Sequence, residues 1–115
     1  KDNLETVSGG QPLTPEEKDV LERAAATLYN AVPCTACRYC CEVCPQQLDI
    51  PRLLSFHNEI KAGSAGTLRF TLGAMDPDTL PAACIACGEC VPLCPQGIQI
   101  PAVMRECAEE IVKLI

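Results

Sequence analysis

Eight of the ten cysteines fall in two runs of one form. Cys34, Cys37, Cys40 and Cys44 are spaced C-x-x-C-x-x-C-x-x-x-C, and Cys84, Cys87, Cys90 and Cys94 repeat that spacing fifty residues on. Pro45 and Pro95 close the runs. Thiolates are soft ligands that suit zinc, copper(I) and iron–sulfur centres. Three thiols at every third position let a short loop wrap one face of a cubic metal–sulfur core. Backbone N–H groups of the same loop can then face its sulfurs. The repeat extends past the cysteines, because Ala36, Gln46, Ile50, Pro51 and Glu59 match Ala86, Gln96, Ile100, Pro101 and Glu109. Each half reads as a cysteine loop, a short connector and a helix opened by proline, so a pseudo-two-fold arrangement is expected.

The two runs resemble those of two-cluster bacterial ferredoxins, in which thiolates hold 4Fe-4S clusters and the fourth Cys of each run ligates the other cluster. The resemblance implies two 4Fe-4S clusters. Cys34, Cys37, Cys40 and Cys94 would hold one, and Cys84, Cys87, Cys90 and Cys44 the other. Cys40 and Cys44 are one helical turn apart, about 6 Å of rise, which puts the two centres on the order of 10–12 Å apart. Zinc prefers two separated C-x-x-C pairs, often with His. A disulfide framework needs an oxidising compartment, and no signal-peptide pattern is read in the sequence. A cytoplasmic location is expected, because reduced thiols and oxygen-sensitive clusters need it.

Other residues have plainer readings. Gly88 is expected to let the second loop approach closely. Arg38 stands at the matching place, so the first loop needs a side chain or a different turn there. Arg38 and Tyr39 are candidates for hydrogen bonds to sulfur, for a docking face, or for simple exposure. Cys41 lies outside the repeat and reads as a bystander, with a redox or ligand role as the alternative. Cys107 reads as core packing, since free Cys is among the most buried residue types. His57, the single histidine, reads as a partly exposed structural residue. Glu106, Glu109 and Glu110 read as a solvated helix face.

Composition bounds the rest. The chain has 115 residues, enough for one small domain. Aromatic residues make up 3% and Trp is absent, which rules out a large aromatic core. The formal charge is −6, and no Lys/Arg cluster points to nucleic acid. Eight thiolates and two oxidised cores would bring the loaded chain to about −10, which calls for a partner with a basic docking face. No apolar stretch approaches the roughly 20 residues of a membrane span. No nucleophile–base pair, phosphate loop or carboxylate pair is visible, so no substrate active site is expected. Folding is expected to depend on the metal, because eight ligands converge on it and the remaining core is thin.

The fold class is read as all-α, an α-helical ferredoxin-like domain. Residues 1–12 read as a linker or the tail of a preceding domain, with a flexible hinge at residues 8–10, and residues 13–115 as the dicluster domain. Thr14 is the expected N-cap of a first helix, with Pro15 at its first position and Glu17 completing a capping box. Val20, Leu21, Ala24, Ala25 and Leu28 share its apolar face, and it should end near Ala31, ahead of Pro33. Pro51 opens a second helix with Leu53, Phe56 and Ile60 on one face, ended by Gly63 to Gly66. Residues 67–75 fit an alternating strand or a helix, and helix is favoured because a lone strand would have no partner. Asp76-Pro77-Asp78 is a turn. Pro101 opens the last helix, with Met104, Cys107, Ala108, Ile111 and Ile115 as its buried stripe.

The long helical stretch between the runs looks like the α-helical ferredoxin class found in parts of succinate dehydrogenase and heterodisulfide reductase. A closer resemblance rests on residues 33–40 (PCTACRYC), 44–51 (CPQQLDIP) and 83–96 (ACIACGECVPLCPQ), with Asn3-Leu4, Pro12-Leu13-Thr14 and Glu16-Glu17 ahead of them. These look like the C-terminal dicluster domain of iron–sulfur aldo/keto reductases. That resemblance implies a preceding (β/α)8 barrel and electron transfer between the clusters and a barrel active site or an external redox partner. Cys41 departs from the pattern. The classes in competition are an electron-transfer module, a structural or sensing iron–sulfur domain, and a zinc-binding interaction module.

Overall fold

Proline and the cysteine loops set where the helices begin. The structure, a computed structural model, describes residues 2–10 and 12–114, with all side chains among them except those of residues 27–29. Helices make up 61% of the chain and no strand occurs among the described residues, so the fold is all-α. The chain divides into two compact units, one ending at Asn30 and one beginning at Ala31.

The first unit holds α1 (Asp2–Gly9) and α2 (Pro15–Tyr29). The hinge expected at residues 8–10 is instead helical as far as Gly9. The capping box at the start of α2 forms as expected. Thr14 N–H donates to the Glu17 carboxylate at 2.9 Å, and Glu17 N–H donates to the Thr14 hydroxyl at 3.2 Å. α2 ends at Tyr29, slightly before the expected Ala31. Val20 and Leu21 stay 56% and 54% exposed, so the apolar face of α2 is not buried within its own unit.

The second unit carries the repeat. A short helix α3 (Tyr39–Glu42) lies inside the first cysteine loop, and α4 (Ile50–Lys61) follows with Pro51 in its first turn. α4 ends in a Schellman motif. Gly63 takes φ +76°, Ser64 N–H donates to the Glu59 carbonyl, and Gly63 N–H donates to that of Ile60. α5 (Ala65–Gly73) then confirms the helical choice for this stretch. Leu68 and Leu72 are buried, whereas Phe70, which an alternating strand would have placed beside them, is 84% exposed. Two 3-10 turns, Pro77–Thr79 and Pro81–Ala83, lead into the second cysteine loop, and Asp76 caps the first of them through its side chain. The chain closes with α6 (Ile100–Leu114).

α4 packs on α6, and the core lies between them. Leu53, Leu54, Ile100, Met104 and Cys107 are all about fully buried there. Each such aliphatic side chain contributes about 1.5–3 kcal/mol by leaving water. Cys107 is core, as its stripe position implied, and burial pushes its thiol up to about 11. His57 departs from expectation. It is buried at 4% exposure, because the α4 face that carries Leu53 turns it toward α6.

Candidate metal centre

The two cysteine loops adopt one backbone conformation. Ala36, Arg38 and Gln47 have φ of 55°, 69° and 54°, and Ala86, Gly88 and Gly97, fifty residues on, have 54°, 84° and 65°. The hydrogen bonds recur at the same offset. Cys41 N–H donates to Arg38 O (2.9 Å) as Val91 N–H does to Gly88 O (3.0 Å). The pairs Cys44 to Cys41 and Cys94 to Val91, then Gln47 to Cys44 and Gly97 to Cys94, continue the match. Left-handed backbone costs a non-glycine residue roughly 1–2 kcal/mol. Ala36, Arg38, Gln47 and Ala86 carry that cost, which persists only where the surroundings fix the conformation. Alternating backbone of this kind turns successive N–H groups to one side, making an anion-binding concavity. Among the described residues, the N–H groups of Ala36, Cys37, Ala86 and Cys87 find no backbone acceptor.

Arg38 makes the same left-handed turn as Gly88, so no different turn is needed. Its guanidinium is held by Asp49 at 3.0 Å, a residue the sequence did not single out. No protein atom lies within 4 Å of a Cβ built on Gly88. The glycine therefore serves the positive φ there, and close packing against protein does not require it.

Two cavities lie against the loops. One is lined by Cys84, Cys87, Cys90 and Cys44. The other is lined by Cys34, Cys37, Cys40 and Cys94. In each, three thiols come from one run and the fourth from the other. Ile100, at 1% exposure, is common to both linings. Nothing in the sequence marked it beyond its place in the repeat. Cys41 is half-buried and borders neither cavity. Its repeat counterpart is Val91.

The ligand positions match in burial as well. Cys40 and Cys90 are each 7% exposed, Cys37 and Cys87 are exposed, and the other four are half-buried. Burial pushes the Cys40 thiol up to about 12, with the adjacent Cys41 adding to the rise. Burial raises Cys90 too. Free thiols at these positions stay protonated at neutral pH, so a metal that binds them releases protons.

These donors fit an iron–sulfur core. Each cavity offers four soft thiols and no carboxylate or imidazole. Among the described residues, no three His, Cys, Asp or Glu side chains converge closely enough to hold a single metal ion. The thiols ring a space instead of meeting at a point.

Residues 33–98, more than half of the chain, match the family described as the 4Fe-4S dicluster domain. The chain belongs to that family. Comparison with curated proteins found no match, and comparison with solved structures found none. The dicluster match begins just before the first cysteine run and ends just after the second, so it covers both loops and the helices α3 to α5 between them.

Several side chains outside the loops hold this dicluster domain in shape. Asn58, which the sequence gave no reason to choose, accepts from Val32 N–H at 2.8 Å and donates to Val32 O at 2.9 Å. It thereby fixes the strand of chain leading into Cys34. Of the carboxylates expected as a solvated face, Glu109 is exposed, while Glu106 and Glu110 are paired. Lys61 meets Glu106 at 2.6 Å and Glu110 at 3.9 Å, and Lys113 meets Glu110 at 3.1 Å. His57 Nε2 lies 3.9 Å from Glu106, while its buried Nδ1 has no hydrogen-bond partner among the described residues. Burial lowers the His57 pKa from 6.5, against the pull of Glu106. Tyr39 is 55% exposed beside the first loop. No helix among the described residues is long and apolar enough to cross a membrane.

Proposed function

We propose that this 4Fe-4S dicluster domain is an electron-transfer module holding two clusters, one on Cys34, Cys37, Cys40 and Cys94 and the other on Cys84, Cys87, Cys90 and Cys44. The observation that carries the reading is the mixed lining of the two cavities, three thiols from one run and one from the other. Clusters of this kind supply reversible one-electron chemistry when bound. The chain's own residues do the remaining work. Cys40 and Cys90 anchor each site in the core, and exposed Cys37 and Cys87 bring each site to the surface. Ile100, buried and common to both linings, gives the two sites a shared apolar wall. The left-handed loops present N–H groups to sulfur, which stabilises negative charge there.

The parent protein is proposed to be an aldo/keto reductase-type oxidoreductase of the cytoplasm. This domain would occupy residues 13–115, with residues 1–12 joining it to a barrel. Support comes from the three stretches at residues 33–40, 44–51 and 83–96. The partner, whether that barrel or a separate redox protein, is proposed to dock through a basic face, supported by the formal charge of −6. Iron, acid-labile sulfide and zinc should be measured on protein purified without oxygen, with paramagnetic resonance after dithionite reduction. About eight iron and eight sulfide per chain with a reducible signal are expected. Full loading without a reducible signal would leave a structural or sensing domain, and zinc without sulfide after anaerobic reconstitution would sink the iron–sulfur reading.

A further inference from the structure

The internal repeat supplies its own control, because the two sites are built alike except at a few positions. Reduction potential in iron–sulfur proteins is set by cluster type, net charge, hydrogen bonds to sulfur and solvent exposure. The two sites match in thiol number and in the burial class of every corresponding cysteine. They also match in the left-handed positions and hydrogen bonds of their loops. What differs is charge. Arg38 lines the cavity of Cys34, Cys37, Cys40 and Cys94, and glycine stands at its counterpart, position 88. The other charged residues of the loops and their flanks, Glu42, Asp49 and Glu89, line neither cavity. Arg105 shares an outer groove with Cys84 but lines neither cavity as well.

We propose that Arg38 makes the site on Cys34, Cys37, Cys40 and Cys94 the more easily reduced of the two, so that a single electron comes to rest there. The inference rests on the proposal that both sites hold 4Fe-4S clusters. A fixed positive charge stabilises the form that has gained an electron. The step is one electron leaving the Cys84 site, which is oxidised, and entering the Cys34 site, which is reduced. No bond breaks and no proton moves, and the electron comes from an external one-electron donor. Asp49 tempers the effect by pairing with the guanidinium, and both groups are about half exposed, so salt should screen it.

The test is an anaerobic redox titration of the loaded chain, followed by paramagnetic resonance, for the native sequence, Arg38→Gln and Asp49→Asn. Two separate midpoints are expected in the native chain. Arg38→Gln should lower the upper one and leave the lower in place, shifting the electron partition by a factor of about three to ten. The upper end of that range is about 59 mV for a one-electron couple. Asp49→Asn should widen the gap, and added salt should narrow it in the native chain and in Asp49→Asn but not in Arg38→Gln. A gap that Arg38→Gln leaves unchanged or widens overturns the proposal. Should that variant fail to load, Asp49→Asn decides alone, and an unchanged or narrowed gap overturns it. Iron and sulfide on the same samples separate the two readings. A native chain that never reaches about eight iron refutes the two-cluster reading and this inference with it. A fully loaded chain with unmoved midpoints refutes the role of Arg38 alone.

Discussion

Removing two thiols from one site gives a background in which the fourth thiols can be assigned. In Cys34→Ala/Cys37→Ala, the cavity that also holds Cys40 and Cys94 loses half of its thiols, and the other cavity keeps all of its own. The expected content falls from about eight iron per chain to about four. Cys94→Ala is then added in one variant and Cys44→Ala in another. Both residues are half-buried and at matching places in the repeat, so their costs to packing are alike. With the cavity linings as observed, Cys94→Ala touches only the site already lost, and iron should stay at about four. Cys44→Ala removes one of four thiols from the surviving site, so iron should drop to about three or to none, with a changed resonance spectrum. Substitutions on separate sites add, and those within one site do not. The assay is iron and sulfide per chain with circular dichroism as a check on helix content. The reverse pattern, loss with Cys94→Ala and retention with Cys44→Ala, would refute the crossed arrangement.

Three further outcomes are expected. Asn58→Ala removes two part-buried hydrogen bonds to Val32, which costs about 1–3 kcal/mol in denaturant titration and should speed amide exchange just ahead of Cys34. Met104→Ala opens the wall of the cavity beside Cys84, Cys87 and Cys90 and should cost about 2–5 kcal/mol, whereas Met104→Leu should cost less than about 1.5. Burial holds the His57 pKa below 6.5, so below that pH the folded chain binds fewer protons than the unfolded one. The stability tied to this group is complete above 6.5 and is lost as pH falls from there through the folded value. His57→Leu should flatten that decline in urea midpoints measured from about pH 8 to about pH 5.5.

Much of this architecture is legible in residue types alone. Proline after a polar stretch opens α2, α4 and α6, and Thr14 with Glu17 closes its box as the spacing requires. The offset of fifty residues survives as matched φ angles and matched hydrogen bonds. Other features depend on contacts that no local pattern encodes. Burial of His57 follows from the packing of α4 on α6, which a single helix cannot announce. α1 forms over a polar stretch with a glycine at its end, where propensity is weak. The left-handed turn at Arg38 looks unsuited to that residue until its pairing with Asp49, eleven residues away, is seen. Asn58 earns its place only through Val32, which lies far off in sequence.

The exchange of one thiol between the halves has the logic of an isologous dimer. In such a pair, each copy gives its partner what it receives from it, and neither is complete alone. Here the two copies are fused into one chain, and the join runs through the break at Gly63 between α4 and α5. A cut at that break would leave two fragments, each with three thiols for its own cavity and one for its neighbour's. Each fragment would be an incomplete lock carrying part of the other's key, and they could close only by reassociating.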